Sequence, residues 1–243
     1  MLNRIARRAY RYFVPDELPH VDALTLELNN AEELKKAFGW TADPDLIDPI
    51  IHEFDYLEDL NERRVRDAEA LGLVARNAGA STLLEIGTAE GHSTALMAMN
   101  APRATVYTVN IPPGEVLSGA GGVLTTIAIE LEKIGSYYRG RSLTNVKQIY
   151  ANTATWTPEI GLIDVAFIDG CHDADFVYND TVKALGSMKE GGFVVWHDFN
   201  PALRRKFNWI QEVCTGVERL IIDGHVRGRI LHLRDSWMGI YRV

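Results

Sequence analysis

Residues 81–93 read STLLEIGTAEGHS, an apolar run that passes through two closely spaced glycines into hydroxyl residues. The first seven read as a β-strand, and Gly87 and Gly91 permit a tight turn with close backbone approach. Ser93 or Thr94 can cap the helix that follows, leaving its first amides free to face a ligand. Ligands of open α/β sheets bind beyond the carboxyl ends of the strands, so this turn is where a binding site is expected.

Downstream, four further apolar runs recur with helical stretches between them: ATVYTVN (104–110), NVKQIY (145–150), IDVAFID (163–169) and GGFVVWH (191–197). The spacing allows the crossover helices that parallel strands require, and Ala174 to Met188 reads as one of them. The tail supplies three more strand-like runs, RLIID (219–223), GRILHLR (228–234) and WMGIYRV (237–243). The last two are close enough to form an antiparallel hairpin at the sheet edge. The expectation is an α/β fold: a mostly parallel, seven-stranded sheet with helices on both faces.

Upstream, apolar residues recur every three or four positions from Ala31 to Phe38 and from Asp55 to Asn77, which predicts accessory helices. Between them GWTADPDLIDPI (39–50), with Gly39, Pro44 and Pro49, reads as a loop able to lie over a cleft. The opening MLNRIARRAYRYF alternates arginines with apolar residues as an amphipathic helix docked on its own domain would. These features divide the chain into a helical extension (1–78) packed on a ligand-binding domain (79–243). That division suits 243 residues, 47% of them hydrophobic and 24% charged.

A net charge of -8 argues against a nucleic-acid partner, which would need an excess of cations on the binding face. The only cysteines, Cys171 and Cys214, suggest neither a disulfide framework nor a zinc motif, which points to a reducing, cytoplasmic setting. No run is long enough for an integral membrane segment. The tail strands and front helices offer surfaces on which a homo-oligomer could form.

The turn lacks the GxGxxG spacing of a dinucleotide site, which argues against a nicotinamide oxidoreductase. With Glu85 two places before Gly87, it instead gives ExGxxxG, which resembles the first motif of class I S-adenosylmethionine-dependent methyltransferases. That family has a Rossmann-like sheet, and the resemblance implies that Glu85, Gly87, Thr88, Gly91, His92 and Ser93 surround the methionine part of the cofactor. The second strand ends at Asn110, where the family usually carries an acid that pairs with the ribose. An amide can serve there with uncharged hydrogen bonds. Asn152, after the third strand, falls where the family reads the adenine.

The passage VAFIDGCHDADFVYNDTVKALGSMKEGGFVVWHDFNP (165–201) resembles the metal-associated subset that includes catechol-type and macrolide-sugar O-methyltransferases. There the ligands are an acid after the fourth strand and an adjacent acidic or amide pair after the fifth. Asp169 matches the first, Asp198 the second member of the pair, and His197 stands in place of the other. The resemblance thus implies a cation, Mg2+ or Mn2+, on Asp169, His197 and Asp198, with Asp169 also beside the cofactor. An acceptor hydroxyl would be activated by that cation or, without metal, by His172 or His197 as general base. Asp180 falls within the predicted helix and reads as structural, and Trp196 and Phe199 read first as core.

The expected activity is methyl transfer to oxygen of a small hydroxylated metabolite, sugar or phenolic. N-methylation of a small amine and a non-catalytic S-adenosylmethionine-binding module are the alternatives.

Overall fold

The structure, a computed structural model, describes residues 17–46, 58–117 and 128–243. The basic opening segment and residues 47–57 lie outside the described residues. The elements, in chain order, are α1 (Pro19–Leu24), β1 (Thr25–Leu28), α2 (Ala31–Phe38), α3 (Glu58–Asn77), β2 (Thr82–Ile86), α4 (His92–Asn100), β3 (Thr105–Asn110) and α5 (Pro113–Leu117). There follow α6 (Ser136–Gly140), β4 (Val146–Tyr150), β5 (Ile163–Ile168), α7 (Ala174–Leu185), β6 (Met188–Trp196), α8 (Asn208–Ile222), β7 (Ile230–Leu233) and β8 (Gly239–Arg242).

The strands form one sheet in the order β1-β7-β8-β6-β5-β2-β3-β4, parallel throughout except for β8, which runs antiparallel to both neighbours. From β2 the chain winds outward through β3 and β4, then returns to β5 on the other side of β2. The order therefore reverses between β2 and β5, the place where α/β sheets open a ligand crevice.

Alternation along the strands builds two cores. Leu83, Val165, Phe167, Phe193 and Val195 face α3 and α4, while Leu84, Ile86, Ala166, Ile168, Val194 and Trp196 face α7 and α8. Both faces are covered, which explains why these strands are apolar at nearly every position. Each fully buried large side chain contributes about 1.5–3 kcal/mol.

The sheet departs from the sequence reading in two ways. It has eight strands, not seven: Thr25–Leu28 pairs with β7 and places the C-terminal hairpin one strand in from the edge. TLEL is too short to show a period, and its last residue alone is buried. Conversely, RLIID belongs to the end of α8. Ile210, Val213, Cys214, Val217 and Leu220 are buried at helical spacing, so Leu220 continues a helical stripe.

The described part of the loop read as a cleft cover, residues 39–46, is tied down elsewhere. Ala42 N–H donates to Asn77 Oδ1 at 3.1 Å and Asp45 N–H to Asn100 Oδ1 at 2.7 Å. Trp40 packs on Phe38 and Phe193. Residues 39–46 thus cap the ends of α3 and α4 and do not border the central cavity.

Candidate active site

A cavity of about 470 Å3 opens over the carboxyl ends of β2, β3, β5 and β6. The turn after β2 forms one wall. Gly87 has φ 107°, and a Cβ there would lie 2.0 Å from the backbone oxygen of Asp169. Glycine is therefore required at 87 for the β2 and β5 turns to meet. Gly91, at φ 87°, lies against the Tyr138 ring, where a Cβ would come within 2.7 Å. The turn is clamped from outside by Gly135 N–H to Ala89 O and Tyr137 N–H to Glu90 O, each 2.9 Å.

Glu85 lies beneath this turn, fully buried. Its carboxylate accepts from Ser93 Oγ (2.5 Å), Thr108 Oγ1 (2.5 Å) and Thr94 Oγ1. It anchors the first turn of α4 and does not border the cavity. Burial pushes its pKa up to about 7 against the pull of the three hydroxyls. Thr88 is buried too, its hydroxyl bonded to Thr108 Oγ1 (2.6 Å) and Gln148 Nε2 (2.9 Å), and it borders the cavity together with His92 and Ser93. The His92 ring packs on Tyr137, centroids 4.0 Å apart, and Arg141 covers Tyr137.

Asn110 borders the cavity and braces the turn, its Oδ1 accepting Ala89 N–H at 3.1 Å and its Nδ2 donating to Ile111 O at 2.9 Å. Asn152 also borders the cavity and accepts Ala154 N–H at 3.0 Å, so it forms a local turn. That turn is held by Lys183 Nζ to Thr153 O (2.5 Å) and Trp156 O (2.6 Å) and by Asn179 Nδ2 to Thr153 O (3.0 Å). Asp180 is buried in α7 beside Asn179 and outside the cavity lining.

The turns after β5 and β6 bring Asp169, His172, His197 and Asp198 together. Both imidazoles address the same two carboxylate oxygens. His172 Nε2 stands 3.1 Å from Asp198 Oδ2 and 3.7 Å from Asp169 Oδ1, and His197 Nδ1 stands 3.2 Å and 3.0 Å from these atoms. Asp198 takes φ 54°, a left-handed conformation that is strained for a residue with a Cβ and turns its carboxylate toward the cluster.

Burial works to raise Asp169 and Asp198, but the facing histidines outweigh it and hold both carboxyls below the usual range. Burial likewise works to lower both histidines, and the carboxylates overcome it. His197 lies well above the ordinary imidazole value and His172 is raised.

The sequence reading placed a helix at α3 but missed its part in the site. Asp67, 6% exposed, reaches into the cluster, with Oδ2 3.3 Å from His197 Nε2 and Oδ1 accepting Trp237 N–H at 2.6 Å. Arg63 pairs with Asp67, and its guanidinium covers the Trp237 ring at 4.2 Å. A signal was present: Arg63 and Asp67 share a helical stripe with Leu71 and Val74, and charges on an apolar stripe are unusual. Trp196 and Phe199 are entirely buried, with Trp196 Nε1 donating to Thr181 Oγ1 at 2.9 Å, so they are core and not acceptor surface.

Residues 84–199 match the family described as "Methyltransferase domain". The match begins in the strand that carries the Gly87 turn and ends just past Asp198, so it contains both halves of the cavity's chemistry. Residues 84–199 are thus similar to a methyltransferase domain. Among solved structures, the chain superposes on a protein described as an O-methyltransferase from Klebsiella pneumoniae with a TM-score of 0.51 and 17% identity, over 88% of this chain and 95% of that one. An O-methyltransferase from Bacillus cereus in complex with SAH gives 0.48 and 15%, over 87% of each chain. The O-methyltransferase NovP gives 0.48 and 15%, over 76% of this chain and 78% of that one. The first of these likenesses supports the methyltransferase fold. No curated protein sequence matches the chain. Among the described residues no helix is long and apolar enough to cross a membrane.

Proposed function

We propose that the chain transfers the methyl group of S-adenosylmethionine to oxygen of a small hydroxylated acceptor, a sugar or a phenol, with assistance from a divalent cation. The observation that carries this reading is the backbone contact of the Gly87 turn with Asp169, which sets the cofactor loop directly against a carboxylate and imidazole cluster. O-methylation needs a deprotonated oxygen, and this cluster is suited to removing or neutralising that proton.

Asp169, His172 and Asp198 offer ligand atoms within 4.8 Å of one another, the one such group among the described residues. A cation fits there on a second count. His197 Nδ1 is buried and makes no well-aligned hydrogen bond, although carboxylate oxygens stand 3.0 and 3.2 Å away. When bound, S-adenosylmethionine supplies the methyl group as a sulfonium and the cation lowers the pKa of the acceptor hydroxyl.

The residues of the chain perform the remaining tasks. The start of α4 suits the cofactor's carboxylate, with Gly87, Gly91, His92 and Ser93 around it. Asn110 offers its remaining hydrogen-bonding capacity to the ribose hydroxyls, and Asn152 does so to the adenine edge. His172, raised by its carboxylate partners, receives the acceptor proton if the cation does not dominate. Glu85 acts from below, holding the turn in shape, and Thr88 forms part of the cavity wall.

The test is methyl transfer from labelled S-adenosylmethionine to a panel of sugar, phenolic and amine acceptors, with and without chelator. Turnover of a hydroxylated acceptor that falls on chelation supports the proposal; turnover confined to amines and indifferent to chelation refutes it.

A further inference from the structure

A metal-ligating histidine commonly donates its second ring N–H to a carboxylate, which fixes the tautomer and aims the other nitrogen at the ion. Asp67 stands in that relation to His197. Its Oδ2 lies 3.3 Å from Nε2, on the side of the ring opposite Asp169 and Asp198. The carboxylate is itself fixed by the Trp237 N–H at 2.6 Å and by Arg63, and the residue is 6% exposed. Arg63 Nη1 also comes within 3.5 Å of Nε2, but it is committed to Asp67, so the nearer carboxylate takes the ring proton. Nδ1 is left buried, without a well-aligned partner, and directed at the two carboxylates.

We propose that Asp67 is a positioning residue that makes His197 a cation ligand beside Asp169 and Asp198, so that the centre prefers an imidazole-seeking divalent ion such as zinc to magnesium. Imidazole donors suit zinc and ferrous iron, whereas magnesium favours oxygen ligands and retained water. The inference rests on the cation-assisted reading above and adds to it the class of ion and a residue from outside the matched segment, since Asp67 precedes residue 84.

The test titrates zinc and, separately, magnesium into the chelated full-length chain, with S-adenosylhomocysteine binding and thermal unfolding measured on the same samples. Asp67→Asn keeps an acceptor for the Trp237 N–H and should weaken zinc by about 10- to 100-fold, leaving magnesium and S-adenosylhomocysteine unchanged. His197→Gln should give the same loss, and adding Asp67→Asn to it should add little. If Asp67→Asn does not fold, His197→Gln carries the test alone. Zinc affinity unchanged in these variants but abolished by Asp169→Ala would overturn the inference while sparing the cation-assisted reading. A wild-type chain that binds no cation would overturn both, and its S-adenosylhomocysteine signal would show whether the cofactor site still stands.

Discussion

Gly87 and Asp169 meet backbone to backbone: a single added carbon at 87 would sit 2.0 Å from the Asp169 oxygen. The turn proposed to hold the cofactor and the turn proposed to hold the chemistry are therefore one packed unit, braced by Asp169 N–H to Ile86 O at 2.8 Å. In-line transfer needs such registration, because small misplacement of a reacting group costs orders of magnitude in rate.

Gly87→Ala should disrupt both sites at once. Alanine is strained at φ 107°, and its methyl group must push the Asp169 backbone aside. A loss of about 1–3 kcal/mol in unfolding free energy is expected, with S-adenosylhomocysteine binding lost by calorimetry. Retained cofactor affinity would show that the β5 turn can move without affecting the pocket.

Asp198→Asn should separate chemistry from binding. It removes one of the two carboxylates that face His172 and His197 and leaves the Gly87 turn intact. Methyl transfer should fall by about 100-fold or more, with S-adenosylhomocysteine affinity near that of the wild type. Equal losses in both would place Asp198 in cofactor binding.

Glu85 makes stability depend on pH. Its carboxyl has an ordinary value of 4.5 and is pushed up to about 7 by burial in the fold. The folded chain therefore holds a proton there that the unfolded chain has released. The resulting stability is present in full below pH 4.5, declines as pH rises, and is gone above about 7. Glu85→Gln should flatten that decline in denaturant melts taken across the window; an unchanged slope would assign it to other groups.

Lys183 holds the turn that carries Asn152 through two carbonyls, Thr153 O and Trp156 O. Lys183→Ala should destabilise the chain by about 1–3 kcal/mol and lower S-adenosylhomocysteine affinity. Unaltered affinity would place the adenine away from this turn.

The parallel core was legible because β2, β5 and the second half of β6 are buried on both faces and read as mostly apolar runs. The meeting of the ExGxxxG turn with Asp169 and Asp198 was legible because all three lie at strand ends, where sequence order and spatial order coincide. Thr25–Leu28 was not, since four residues with one buried side chain carry no period. Glu85 shows a further limit: spacing identified the turn but not whether the carboxylate faces outward to a ligand or inward to hydroxyls. Asp67 lies 102 positions before Asp169 in the chain, and only tertiary packing shows that its helix closes the cluster.

The central claim is the cofactor site, and calorimetric titration of S-adenosylhomocysteine and NAD into the chelated full-length chain tests it most directly. Saturable binding of S-adenosylhomocysteine, loss of that binding in Gly87→Ala, and no heat with NAD are expected. Binding of NAD, or no binding of S-adenosylhomocysteine by a folded wild-type chain, would contradict it.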